Sequence, residues 1–304
     1  MNEHIRDILA GYEGDNPGTR AKLYRLLSHG RLGGSGRLLI LPVDQGFEHG
    51  PARSFAPNAA GYDPRYHARL AMKAGCSAYA APLGFIEAIA DEYAGQLPLI
   101  LKVNNHELLV GEDPDPKPAL TASVDDALRL GCIAVGFTVY PGSAHSVAMY
   151  EQARAVIAEA KAAGLMSVVW SYPRGSHLSK EGETALDVVA YAAHIAAQLG
   201  AHLIKVKLPT DHLEQAAAAK VYQQENIPRG TIADRVRHVV QSAFAGQRLV
   251  VFSGGPRSDD ATLLSEVRAI REGGGNGSII GRNSFQRPEA EALELLGKIA
   301  SIYA

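Results

Sequence analysis

The 304-residue sequence predicts an α/β chain folded as a single-domain (β/α)8 (TIM) barrel. Three observations carry this reading. Eight short apolar or β-branched runs alternate with helical patterns, a glycine stands shortly before each run, and the long irregular segments follow strands while the segments preceding them are short. Strands separated by helices pair in parallel, because a parallel neighbour is reached only by a long crossover, and such crossovers are right-handed. Eight such units in a chain a little over the ~250 residues typical of a closed barrel favour closure over an open doubly wound sheet.

In chain order the strand runs are Leu38 to Val43, Cys76 to Ala81, Pro98 to Val103, Cys132 to Thr138, Met166 to Ser171, His202 to Lys207, Leu249 to Phe252 and Gly277 to Gly281. Gly36, Gly75, Gly95, Gly131, Gly164, Gly200, Gly246 and Gly275 precede them, where a left-handed helix end or a tight turn favours glycine. Helix starts are read at Asp63 with Pro64 behind it, at Ser123 with Asp126 three residues on, at Ser143 and at Thr184. The long segments Asp44 to Tyr62, His106 to Ala122, Pro173 to Glu183 and Leu208 to Gly230 all follow strands, and that end of a barrel carries its active site. Residues 1–36 read as a helical extension whose Leu23, Leu26 and Leu27 cover the bottom of a barrel formed by residues 37–304.

Composition narrows the function. With 30 Lys and Arg against 32 Asp and Glu and no basic run, the chain offers no electrostatic footprint for nucleic acid or an anionic membrane. No apolar stretch approaches the ~20 residues of a membrane span, and the charged, glycine-broken N-terminus is unlike a signal peptide. Cys76 and Cys132 sit in apolar runs, which argues for two buried thiols and against a disulfide or a thiolate zinc site. The expectation is a cytoplasmic protein whose partners are small molecules or copies of itself.

Four stretches can carry chemistry. His202-Leu-Ile-Lys205-Val-Lys207 puts two lysines on one face of a central strand. At a reference pKa of ~10.4 only about one lysine amine in a few thousand is neutral at pH 7, whereas burial and a neighbouring cation would free the amine to attack carbonyls. A lysine paired with a barrel carboxylate fits the same pattern. Tyr172, in Ser171-Tyr172-Pro173-Arg174-Gly175, is expected to project from the rim, where a phenol can shuttle a proton. Asp44 closes the first strand, facing the lysines as an iminium stabiliser or simply ion-paired with Lys207. Ser253-Gly254-Gly255 and Gly281-Arg282 end the last two strands, where a barrel binds phosphate. Glu48, His49 and His106 lack the spacing of recognisable zinc sites, so neither a metal nor another cofactor is expected.

Together LPVDQGFEHGPARSFAPN, VNNHELL, YPRG, IKVK, SGG and IIGRNSFQR resemble, in order, landmarks of the archaeal-type class I fructose-bisphosphate aldolase family, from Gly30 to the C-terminus. The resemblance implies a metal-independent carbon–carbon lyase of glycolysis and gluconeogenesis, forming a homo-oligomer and acting on a phosphorylated sugar. It implies that Lys205 forms the imine with Lys207 as its neighbour, that Tyr172 transfers protons and that Asp44 is the acidic residue closing the first strand. It makes Ser253, Gly254, Gly255, Gly281 and Arg282 the phosphate cradle. A thiolase-like or transaldolase-like transferase on another phosphorylated ketose would share Lys205 and the cradle. Two departures are a longer segment between Tyr172 and Lys205, through Ser176 to Glu183, and Pro209 just after the lysine strand. For a second phosphate the sequence offers Arg53, Ser54 and Arg174.

Overall fold

Alternation along the strands decides which side chains enter the barrel. In the computed structural model, which describes residues 2–109, 111, 113–253 and 259–304, the barrel strands are β1 (Leu38–Pro42), β2 (Ala78–Pro82), β3 (Leu99–Lys102), β4 (Ala134–Val139), β5 (Met166–Ser171), β6 (Leu203–Val206), β7 (Leu249–Ser253) and β8 (Gly277–Ile279), with Asn104–Asn105 and Ala119–Leu120 forming a separate antiparallel ladder. Each barrel strand pairs in parallel with its neighbours in the chain, and β1 closes on β8 with Leu38 opposite Gly277 and Ile40 opposite Ile279. The closure is tight: a Cβ at Gly277, whose φ is +137°, would lie 1.9 Å from the Leu38 carbonyl oxygen.

Leu38, Ile40, Ala78, Ala80, Ile100, Met166, Val168, Leu203, Leu249 and Val251 form one interior cluster. The intervening residues, such as Leu39, Leu41, Val135, Val169, Ile204 and Val250, pack outward beneath the helices. The interior cluster also takes in Ile5, Leu9, Tyr12, Leu23, Leu26 and Leu27 from the helices Glu3–Ala10 and Pro17–Ser28 and the turn between them. At that end Tyr12 Oη donates to the His202 carbonyl (2.6 Å) and accepts from the Leu249 amide (2.9 Å), satisfying backbone groups where β6 and β7 begin. Asp15 bonds both His202 (3.1 Å) and Lys161 (2.9 Å); burial opposes its charge, but these two partners bring its pKa down to about 2.

Several local expectations meet their physical reasons here. Asp63 caps the helix Pro64–Ala74 by accepting from the Arg65 amide, and Ser123 with Asp126 forms a reciprocal capping box. Ser143 and Thr184, by contrast, do not start helices. Ser143 Oγ accepts from the His145 amide and the helix begins at Ser146, while Thr184 ends a 3-10 turn ahead of the helix Leu186–Gln198. Gly36, Gly75, Gly95, Gly131, Gly164, Gly200 and Gly246 all have positive φ, but before β8 that conformation belongs to Gly274 and not to Gly275. Gly275 is needed for space instead, since a Cβ there would lie within 3 Å of Ile270 and Phe252.

Strands β2 and β4 begin two residues later than the apolar runs, because Cys76 and Cys132 still belong to the turns out of the preceding helices. Both thiols are buried, which pushes their pKa values up to about 12. The segment Leu208 to Gly230 holds a helix, Ala216–Gln224, nucleated by an alanine run. Asp44 to Tyr62 is folded into the short helices Gln45–His49 and Pro51–Phe55 and a 3-10 turn. Among the described residues no helix is long and apolar enough to cross a membrane.

Leu26 is fully buried in the interior cluster. Leu26→Ala is expected to lower unfolding free energy by about 2–5 kcal/mol, measured by denaturant titration, because the cavity lies where the surroundings cannot collapse.

Candidate active site

The alternation that fills the barrel also aims the polar residues at its C-terminal end. One or two inward steps beyond the apolar layer, Ile40 leads to Pro42 and Asp44, Ile100 to Lys102, and Val168 to Trp170 and Tyr172. Leu203 likewise leads to Lys205 and Lys207, Val251 to Ser253, and Ile279 to Gly281. Asp44, Tyr172, Lys205, Lys207, Ser253, Gly281 and Arg282 all line one cavity of about 420 Å³, together with Gln45, Glu48, His49, Tyr140, Arg174, Lys180 and Glu183. Gly254 and Gly255 lie outside the described residues.

Two buried lysines at this end of the barrel are treated unequally. Lys102, 1% exposed, places Nζ 3.1 Å from Glu48 Oε1 and 3.6 Å from Asp44 Oδ2. Burial opposes its charge, but the two carboxylates outweigh it and hold the pKa above the ordinary lysine value. Lys205, 5% exposed, has no carboxylate within ion-pair distance among the described residues. Its Nζ lies 5.5 Å from the centre of the Trp170 ring and 5.3 Å from that of Tyr172. Burial pushes its pKa down to about 8; Asp44 and Glu48 resist from a distance, while Lys102 and Arg282 reinforce the shift. At pH 7 about one such amine in ten is neutral.

That depression costs the fold about 3 kcal/mol. Since the unfolded chain holds this proton more tightly, the cost is fully present below about pH 8 and is relieved as pH rises toward 10.5.

Asp44 therefore pairs with Lys102, not with Lys207, which instead bonds Glu183 Oε2 at 3.0 Å. Likewise the cations acting on Lys205 are Lys102 and Arg282, from other strands, and not the strand neighbour Lys207. Burial disfavours the Asp44 carboxylate, yet Lys102 and then Lys205 hold its pKa below the usual range. Tyr172, half-buried just past the end of β5, lines the cavity. Its ring packs on the interior cluster and its hydroxyl bonds Ser253. Burial first, then Asp44 and Glu48, raise its pKa well above 10, so the phenol is protonated.

Trp170 occupies the space beside β4 that a side chain at Gly136 would fill, since a Cβ there would lie 2.2 Å from its ring. Gly281 approaches the end of β1 closely: a Cβ there would lie 3.0 Å from Gln45 Nε2 and 3.1 Å from the Pro42 carbonyl oxygen, so a side chain would need its neighbours to shift. Gln45 Oε1, His49 Nδ1 and Arg174 Nε are buried on the cavity walls with no hydrogen-bond partner among the described residues, leaving polar capacity for a ligand. Of the second-phosphate candidates, Arg174 reaches the cavity; Arg53 is exposed away from it, and Ser54 is buried, donating to the Gln45 carbonyl. Among the described residues no three of His, Cys, Asp and Glu come together as a metal-ligand set.

Residues 38–287 match the profile of DeoC/LacD family aldolases. The chain belongs to that family. A probable class 1 fructose-bisphosphate aldolase of Chlamydia muridarum is 37% identical over 292 residues, 92% of this chain and 83% of that protein. The class 1 fructose-bisphosphate aldolase of Thermoproteus tenax is 37% identical over 256 residues, 84% of this chain and 86% of that one. A solved archaeal fructose-1,6-bisphosphate aldolase, its catalytic lysine covalently bound to the carbinolamine intermediate of the substrate, superposes with a TM-score of 0.77 at 33% identity, covering 93% of this chain and 99% of that one. Within the family the similarity is to class I fructose-bisphosphate aldolases, as the sequence landmarks lead one to expect.

The sequence reading missed Glu183, Lys180 and Tyr140 on the cavity wall of this aldolase, and Lys102 and Trp170, which pack against Asp44, Glu48 and Lys205. Lys102 had a usable signal, because a lysine closes the apolar run Leu99-Ile-Leu just as Lys205 breaks its own strand. If Lys102 keeps Lys205 short of protons, Lys102→Met frees two carboxylates toward Lys205 and removes a like charge. The inflection in the pH dependence of Lys205 labelling by an amine-directed reagent, mapped by mass spectrometry, should then move from near 8 to a more alkaline value.

Proposed function

We propose that this aldolase cleaves fructose 1,6-bisphosphate reversibly into dihydroxyacetone phosphate and glyceraldehyde 3-phosphate through an imine on Lys205, without a metal. The observation that supports it most is Lys205 itself: buried, with a pKa near 8, without a close carboxylate and at the floor of a cation-lined cavity. A neutral amine there attacks the C2 carbonyl of the open-chain ketose. The carbinolamine then loses water, and the resulting protonated imine is an electron sink.

Tyr172 begins protonated, which assigns it a relay. It gives its proton to the departing hydroxyl as the iminium charge appears beside it, and the resulting phenolate takes the C4 hydroxyl proton as the C3–C4 bond breaks. The aldehyde leaves, the electron pair rests in an enamine, and the same phenol returns the proton to C3. Water then hydrolyses the imine and frees dihydroxyacetone phosphate. Asp44 stabilises the iminium and orients substrate hydroxyls. Ser253, Gly281 and Arg282, with Gly254 and Gly255 completing the motif in sequence, hold the C1 phosphate, and Lys207 contributes at the opposite end. With this activity we also propose a cytoplasmic homo-oligomer working in glycolysis or gluconeogenesis.

Borohydride reduction in the presence of dihydroxyacetone phosphate is expected to leave a triose phosphate adduct on the Lys205 peptide, with EDTA making no difference. Lys205→Met should abolish both adduct and turnover while unfolding at the same or higher temperature than the parent, because it removes the strained amine. Absence of an adduct in the parent protein would sink the imine mechanism. Tyr172→Phe is expected to slow bisphosphate cleavage by about 10²–10⁴-fold in steady-state assays.

A further inference from the structure

The segment through Ser176 to Glu183 brings a carboxylate to the wall of a cavity otherwise rich in cations. Glu183 Oε2 lies 3.0 Å from Lys207 Nζ, and its Oε1 lies 3.0 Å from Lys180 Nζ. Lys207 is one inward step past Lys205, and Arg174 shares its wall. The cavity therefore has a cationic group of Arg174, Lys180 and Lys207 in addition to the Ser253, Gly281 and Arg282 group, with Lys205 on the floor.

The loop is built to keep that carboxylate in place. The Ser179 amide and hydroxyl both donate to the Glu214 carboxylate, and the Gly182 amide donates to Ser179 Oγ. Behind Glu183, the Thr210 amide donates to the Thr184 carbonyl and the Leu186 amide to that of His212, fastening the loop after β5 to the loop after β6. A side chain at Gly182 would strike the Glu214 carboxylate, 2.5 Å from its Cδ. With its backbone fixed on both sides, Glu183 presents only its side chain to the lysines; water screens its contact with the half-buried Lys207 poorly and that with the exposed Lys180 well.

Resting on the aldolase reading above, we propose that Glu183 is a specificity-determining residue that holds Lys207 and Lys180 where a substrate's second phosphate would bind. A ketose bisphosphate must displace this carboxylate, whereas a ketose 1-phosphate leaves it undisturbed. Glu183 thus lowers the preference for the bisphosphate below what three cations alone would confer. Burial, with Arg174 and Lys180 nearby, lowers the Lys207 pKa, and the ion pair with Glu183 opposes that shift.

The test compares kcat/KM for fructose 1,6-bisphosphate with kcat/KM for fructose 1-phosphate in the parent enzyme, Glu183→Gln and Lys207→Met. Glu183→Gln is expected to raise that ratio about three- to tenfold, through KM for the bisphosphate more than through kcat. Lys207→Met should lower the same ratio tenfold or more. Opposite shifts cannot come from a general loss of stability. A ratio that falls or stays put in Glu183→Gln, or that moves the same way in both variants, overturns the proposal. Borohydride trapping with dihydroxyacetone phosphate, which has a single phosphate, separates the failures: a parent enzyme that traps but shows no ratio change sinks the role of Glu183 alone, whereas one that does not trap sinks the aldolase reading beneath it.

Discussion

Two ammonium groups lie in one barrel interior, and the carboxylates are given to only one of them. Asp44 and Glu48 stand close to Lys102, so that lysine keeps its proton, and Lys205 is left with aromatic rings and a neighbouring cation. Everything else at the site follows from this division. The turn after β1 is folded into a short helix that carries Glu48 over Lys102. Gly136 is bare so that Trp170 can lie between the two amines, 5.9 Å from one and 5.5 Å from the other. A small barrel interior, dry and filled in layers, makes such sorting possible because distances of a few ångströms there count for far more than in water.

The fold was legible because its signals are local. Strand runs, left-handed glycines and capping residues each act within a few positions of themselves, and a closed barrel is what eight such units make. The site was legible in part for a similar reason: period-two alternation alone puts Lys205, Asp44 and Tyr172 on the inner face. Partnership across the barrel is another matter. Whether Asp44 meets Lys102 or Lys207 depends on the barrel's width and on how far each strand rises, and neither is written in a local pattern. The errors at Ser143, Thr184 and Gly275 are of the opposite kind. There the residue type suits the assigned role, but tertiary packing gives that role to a neighbour.

Two loops at the C-terminal end brace each other over the barrel. The stretch between the Tyr172 turn and the Lys205 strand is fastened to the loop after β6 by backbone bonds and by the Glu214 carboxylate. These bonds hold the part of the cavity wall that carries Lys180 and Glu183. The aldolase relatives are similar to this chain over most of its length.

The N-terminal segment has a consequence that reaches the opposite end of the molecule. Tyr12 seals the underside of β6 and β7 through the His202 carbonyl and the Leu249 amide, and Leu23, Leu26 and Leu27 fill the opening beside it. Lys205 lies three residues along the same strand from His202. The first helices therefore act as a dielectric plug: with the apolar layer above them, they separate the core beneath the amine from solvent at the bottom of the barrel.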